Sequence, residues 1–150
     1  MEYNGDMIEL LRMSGHILYN QITDEKYKEK YMLLSSLSVI ETACIIKLAE
    51  KPDIPLKDLA ECLKISKSTL TSIISRLENK NLILREIKLT DKRAFLFKLT
   101  KDGKSVLCEH EEYEKEICRQ IIKLYDNDDE KKQIRRLLNK LIENYTRKQV

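Results

Sequence analysis

Residues 55–80, PLKDLAECLKISKSTLTSIISRLENK, decide the fold. Two helix-like runs are separated by only three residues, Lys64, Ile65 and Ser66. That is the joint of a helix-turn-helix. Ala60 is the small residue that lets the two helices approach. Leu59, Leu63, Ile65, Leu70 and Ile73 stand at −1, +3, +5, +10 and +13 from it, and each is Leu or Ile. Pro55 is placed to open the first helix at its N1 position. The turn position four residues after Ala60 favours a left-handed backbone and is often Gly; here it is Lys64, at a cost of about 1 kcal/mol. Ser66 is the expected cap of the second helix.

The second helix is expected to expose Ser66, Lys67, Ser68, Thr69, Thr71, Ser72, Ser75 and Arg76, and the first acidic residue in it is Glu78. Short hydroxyl side chains with a few cations suit a major groove, where they can reach phosphates and base edges. The plainer reading is a soluble polar face. The charge distribution favours the groove: between Lys64 and Lys104 there are eleven Lys/Arg against four Asp/Glu, a net of +7, although the whole chain carries only +3. A basic centre between acidic arms is a nucleic-acid footprint.

After this motif come LILREI and AFLFKL, two alternating runs joined by the charged connector KLTDKR (88–93). The connector looks too long for a two-residue hairpin and is expected to stand out as a loop, a wing. Phe95, Phe97 and Leu99 share one strand face and are expected to pack as core. Lys88, Asp91, Lys92 and Arg93 then fall at the wing tip. Arg93 would reach a minor groove and Asp91 would orient its guanidinium; the alternative is a solvated surface ion pair of little energetic worth.

Around this centre the pattern is helical. Residues 6–31 form an amphipathic run carrying Ile8, Leu11, Leu18 and Ile22. Ser36 or Ser38 can cap SVIETACIIKLAE. Thr100 opens a long helix with Asp102 in its first turn and a stripe of Val106, His110, Tyr113, Ile117, Ile121 and Leu124. A last helix turns Ile134, Leu137, Leu138, Leu141, Ile142 and Tyr145 inward. The fold class is therefore mainly α with one small β-hairpin. Residues 36–99 would be a winged helix-turn-helix, with residues 1–35 and 100–150 a helical dimerisation region.

Other chemistry finds little support. CEHEEYEKE lacks the His pair of a zinc protease, and Cys108 and His110 point to different sides of a helix. His110 fits an interface histidine, and His16 has no partner in sequence. There is no phosphate loop, nucleophile elbow or paired-carboxylate motif, so no catalytic residue, metal or cofactor is expected. No apolar run is long enough for a membrane helix and no signal peptide is visible, so a cytoplasmic address with reduced thiols is expected.

The segments LSSLSVIETACIIKLAE, residues 55–87 and TDKRAFLFKLTKDGK together resemble the MarR family of transcriptional regulators. The family pattern of Asp-x-Arg, a strand, then Leu-Thr-x-x-Gly is matched by Asp91, Arg93, Leu99, Thr100 and Gly103. The resemblance implies a homodimer built from the first and last two helices, binding double-stranded DNA at a pseudo-palindromic operator. It also implies a repressor released by a small phenolic or lipidic effector. Asn81 replaces the Gly usual after the recognition helix, and Asn tolerates that left-handed conformation. The first helix has Tyr19 and Tyr27 but no Cys, unlike the oxidant-sensing branch. A thiol switch at Cys108 or Cys118 is thus the lesser reading, beside a winged-helix protein-interaction module that does not read DNA.

Overall fold

The computed structural model describes residues 25–88, 91–125 and 127–147. Most of the expected first helix lies outside them. Its described end is α1 (Glu25–Lys30), followed by a short α2 (Met32–Ser35). Then come α3 (Val39–Glu50), α4 (Leu56–Cys62), α5 (Lys67–Asn79), β1 (Ile83–Lys88), β2 (Asp91–Leu99), α6 (Lys101–Lys123) and α7 (Asp128–Arg147). The chain divides into two compact units, Met1–Glu112 and Tyr113–Val150.

Of the two candidate caps, Ser38 starts α3. Its hydroxyl accepts the Glu41 N–H at 3.4 Å while the Glu41 carboxylate accepts the Ser38 N–H at 2.9 Å, a reciprocal capping box. Ser36 instead ends α2. Pro55 is not N1 as expected but the N-cap of α4, with ψ at 144°. A cap needs that extended backbone, and the Pro55 carbonyl still accepts the Leu59 N–H. Both motif helices end in the same way. Lys64 (φ 54°) and Asn81 (φ 56°) adopt the left-handed conformation. The Ile65 N–H then reaches back to the Ala60 carbonyl and the Leu82 N–H to Leu77, each at 3.0 Å. These are Schellman closures made without glycine.

The core lies where the motif spacing puts it. Cys44, Ile45 and Leu48 of α3 meet Leu59 and Ala60 of α4 and Leu70, Ile73, Ile74 and Leu77 of α5. Leu82, Ile83, Phe97 and Val106 complete it. Leu63 and Ile65 pack at its edge, only partly buried.

The hairpin departs from expectation twice. β2 begins at Asp91, not Ala94, and Lys88 pairs with Asp91, so only two residues separate the strands. The extra residues of β2 are taken up by an irregularity between Ile87, opposite Phe95, and Lys88. The backbone pairing places the charged residues Asp91, Lys92 and Arg93 in the strand although they show no apolar alternation. The side chains of residues 87–94 lie outside the described part, and with them the expected tip contacts of Lys88, Asp91, Lys92 and Arg93. Second, Phe97 is core at 2% exposure, Leu99 is partly buried, but Phe95 is 43% exposed. The face is shared, yet among the described residues it is the strand's base that packs into the helical core.

Thr100 caps α6 by accepting the Gly103 N–H at 3.0 Å, and its own hydroxyl donates to the carbonyls of Asn81 and Leu82. In the second unit the Asn127 side chain caps α7. Leu137, Leu138, Leu141 and Ile142 were expected to face inward, but each is more than half exposed. Among the described residues nothing covers that stripe. No helix among the described residues is long and apolar enough to cross a membrane.

Candidate nucleic-acid interface

Helix α5 divides cleanly into two faces. Leu70, Ile73, Ile74 and Leu77 are buried, whereas Ser66, Lys67, Ser68, Thr69, Thr71, Ser72, Ser75 and Arg76 are exposed. The 3.6-residue period does this by itself: the apolar residues step by 3, 1 and 3 and share one stripe. The first unit thus brings together every residue expected on the recognition face.

Hydrogen bonding refines their roles. The Ser66 hydroxyl accepts the Thr69 N–H at 3.1 Å and lies within 2.9 Å of the Ser68 and Thr69 hydroxyls. It is committed to capping. Thr71 donates to the Lys67 carbonyl at 2.9 Å and Ser72 to the Ser68 carbonyl at 3.2 Å. In this state both present lone pairs outward, suited to base amino groups; donating to a phosphate requires the hydroxyl to rotate off the backbone.

Arg76 shows more than the sequence indicated. Its Nε donates to Glu41 Oε1 at 2.8 Å, yet the side chain remains 53% exposed. Glu41 itself is 4% exposed. Its other oxygen takes the Ser38 N–H and hydroxyl at 2.9 and 3.0 Å, with Lys80 Nζ 3.7 Å away. Burial alone would push this carboxyl up. The hydrogen bonds from Ser38 and Arg76 and the charge of Lys80 outweigh it and hold Glu41 at about 2, against an ordinary 4.5. Lys80 also donates to the Ser36 carbonyl at 2.8 Å. The corner between α2 and α3 is thereby bound to the far end of the recognition helix.

Arg85 is the second residue the sequence reading passed over. Its guanidinium lies 4.7 Å from the Phe95 ring centre and 5.5 Å from that of Phe97, and its Nε is 3.4 Å from Glu78 at the end of α5. It joins the wing to the recognition helix by stacking and charge. A cation at the inward parity of β1, between Ile83 and Ile87, was the available signal. On the other strand face Lys98 and Glu86 pair at 2.6 Å.

The thiols divide as well. Cys44 is sealed in the core, where burial and the nearby Glu41 charge push it up to about 12 and keep it protonated at neutral pH. Cys62, Cys108 and Cys118 are free and exposed.

Comparison with known proteins places this arrangement. The MarR family model matches residues 37–95. The organic hydroperoxide resistance transcriptional regulator of Bacillus subtilis is 30% identical over 105 residues, 69% of this chain and 71% of that protein. The chain belongs to the MarR family. Transcriptional regulator HosA of Escherichia coli is 35% identical over 74 residues, 49% of this MarR-family chain. The chain spans only about half, 55%, of that relative's length. Among solved structures, a mutant of Staphylococcus aureus MepR bound to an oligodeoxyribonucleotide superposes with a TM-score of 0.67, covering 95% of this chain and 99% of that one. At 19% identity this likeness speaks for the fold, a MarR-type winged helix.

Proposed function

We propose that this MarR-family chain is a sequence-specific DNA-binding transcriptional regulator. The observation that carries the reading is the face of α5: eight exposed hydroxyl and cationic residues, without a carboxylate, on a helix whose other face is buried. Lys67 and Arg76 supply charge, Ser68, Thr69, Thr71, Ser72 and Ser75 supply hydrogen-bonding groups, and Ser66 fixes the helix end. The wing residues Lys88, Asp91, Lys92 and Arg93 would extend the contact to the neighbouring minor groove. The oligonucleotide-bound MepR structure supports the same use of the fold.

The working form is a homodimer. The stripe of Leu137, Leu138, Leu141 and Ile142, exposed among the described residues, suits burial against a partner copy, and residues 1–35 and 100–150 would form the shared helical region, with residues 36–99 as the DNA-reading part. Two copies of α5 would occupy successive major grooves of a pseudo-palindromic operator and repress by occlusion. A phenolic or lipidic effector that favours another spacing of the two readers would release the DNA. This is work for the cytoplasm.

The test is duplex affinity across a salt series. A dimer placing several cations of each copy on phosphates should lose affinity with a log–log slope of about −5 or steeper. A flat dependence, with weak binding to every duplex, would sink the reading.

A further inference from the structure

We propose that Glu41 is a positioning residue for DNA recognition, holding the Arg76 guanidinium at one fixed place on the α5 face. The inference rests on the DNA-binding reading above. Glu41 is anchored from its own side by the capping box: Oε2 accepts both the Ser38 N–H and the Ser38 hydroxyl. The carboxylate therefore cannot swing, and Oε1 is left to fix Arg76 through Nε at 2.8 Å. Of the five N–H groups of an arginine only one is used this way. The two terminal nitrogens of Arg76 have no partner among the described residues, and more than half the side chain is in solvent. A long side chain that would otherwise sample many rotamers is thus held before DNA arrives, which lowers the ordering cost of contact. Lys80 braces the same carboxylate from the next turn and ties itself to Ser36.

The geometry makes two opposed demands on one substitution. Glu41→Gln removes a negative charge beside a DNA-facing helix, which by itself raises attraction to any duplex. It also replaces the ion pair to Arg76 with a weaker hydrogen bond to an uncharged amide oxygen, which loosens the contact that needs placement. Affinities of the whole chain are to be measured for a duplex selected from a random pool and for an unselected duplex at one salt concentration. Glu41→Gln is expected to weaken the selected duplex about tenfold or more while the unselected duplex is held as tightly or more tightly. Arg76→Lys, on an exposed side chain that does not threaten folding, should show the same loss for the selected duplex, because a lysine has no separate Nε to give to Glu41. The double variant should lose little beyond either single one.

Parallel changes for both duplexes in either variant, or additive losses in the double variant, would overturn the proposal. Should Glu41→Gln fail to fold, the Arg76→Lys comparison still decides the matter: an unchanged preference for the selected duplex refutes it. If the unsubstituted protein shows no salt-dependent duplex binding, the DNA reading itself falls and this inference falls with it.

Discussion

Replacing Phe97 with alanine should destabilise the protein by about 3–5 kcal/mol, the cost of emptying a fully buried aromatic site. Phe97 is among the largest side chains sealed in the core, on a strand that runs beside α3 and pairs across the ribbon with Arg85. Its loss removes a ring from the core and one of the two rings over which the Arg85 guanidinium lies. Against a typical stability of about 5–15 kcal/mol this is a large share. Urea unfolding gives the number, and Phe95→Ala is the control. Phe95 lies two residues away on the same strand face but is half in water, so its truncation should cost about 1 kcal/mol or less, mostly its contact with Arg85. Equal costs at the two positions would mean that the ribbon does not leave the core where it is described as leaving it.

Gly103→Ala should cost about 3 kcal/mol, and here the sign carries the information. Gly103 lies in the first turn of α6, where alanine's helix preference alone would stabilise by about 1 kcal/mol. A Cβ at Gly103, however, would stand 2.0 Å from the Leu82 carbonyl oxygen and 3.4 Å from the Leu99 Cβ. That oxygen belongs to the backbone and accepts both the N–H and the hydroxyl of Thr100. It cannot give way like the end of a flexible side chain. Either α6 moves off the turn, breaking the Thr100 cap, or the turn after α5 distorts. The Leu-Thr-x-x-Gly pattern at 99–103 thus has a physical basis: Thr100 joins the helix start to the turn, and Gly103 lets the two backbones meet. A stabilised Gly103→Ala variant in thermal unfolding would contradict that close approach.

The legible features were local ones. The apolar spacing around Ala60, the caps at Ser38, Ser66 and Thr100, and the left-handed Lys64 and Asn81 are set by near neighbours, and they appear where the residues suggest. The joint between α4 and α5 is four residues, 63–66, rather than three, because Leu63 already caps α4. What escaped depends on distant or missing partners. Glu41 stands in a readable Ser-x-x-Glu capping box, but nothing near it in sequence points to Arg76, thirty-five positions on. The start of β2 at Asp91 is hidden because Asp91, Lys92 and Arg93 show no apolar alternation. Phe95 and Phe97 look equivalent until the end of the core is known. The stripe on α7 has the right period for burial, but among the described residues it lies exposed.

Selecting bound sequences from a random duplex pool tests the central claim most directly. A dimer reading DNA through two copies of α5 should enrich one consensus with two-fold symmetry, its half-sites about one helical turn, roughly 10 base pairs, apart. No enrichment, or a single half-site without a symmetric mate, would contradict it.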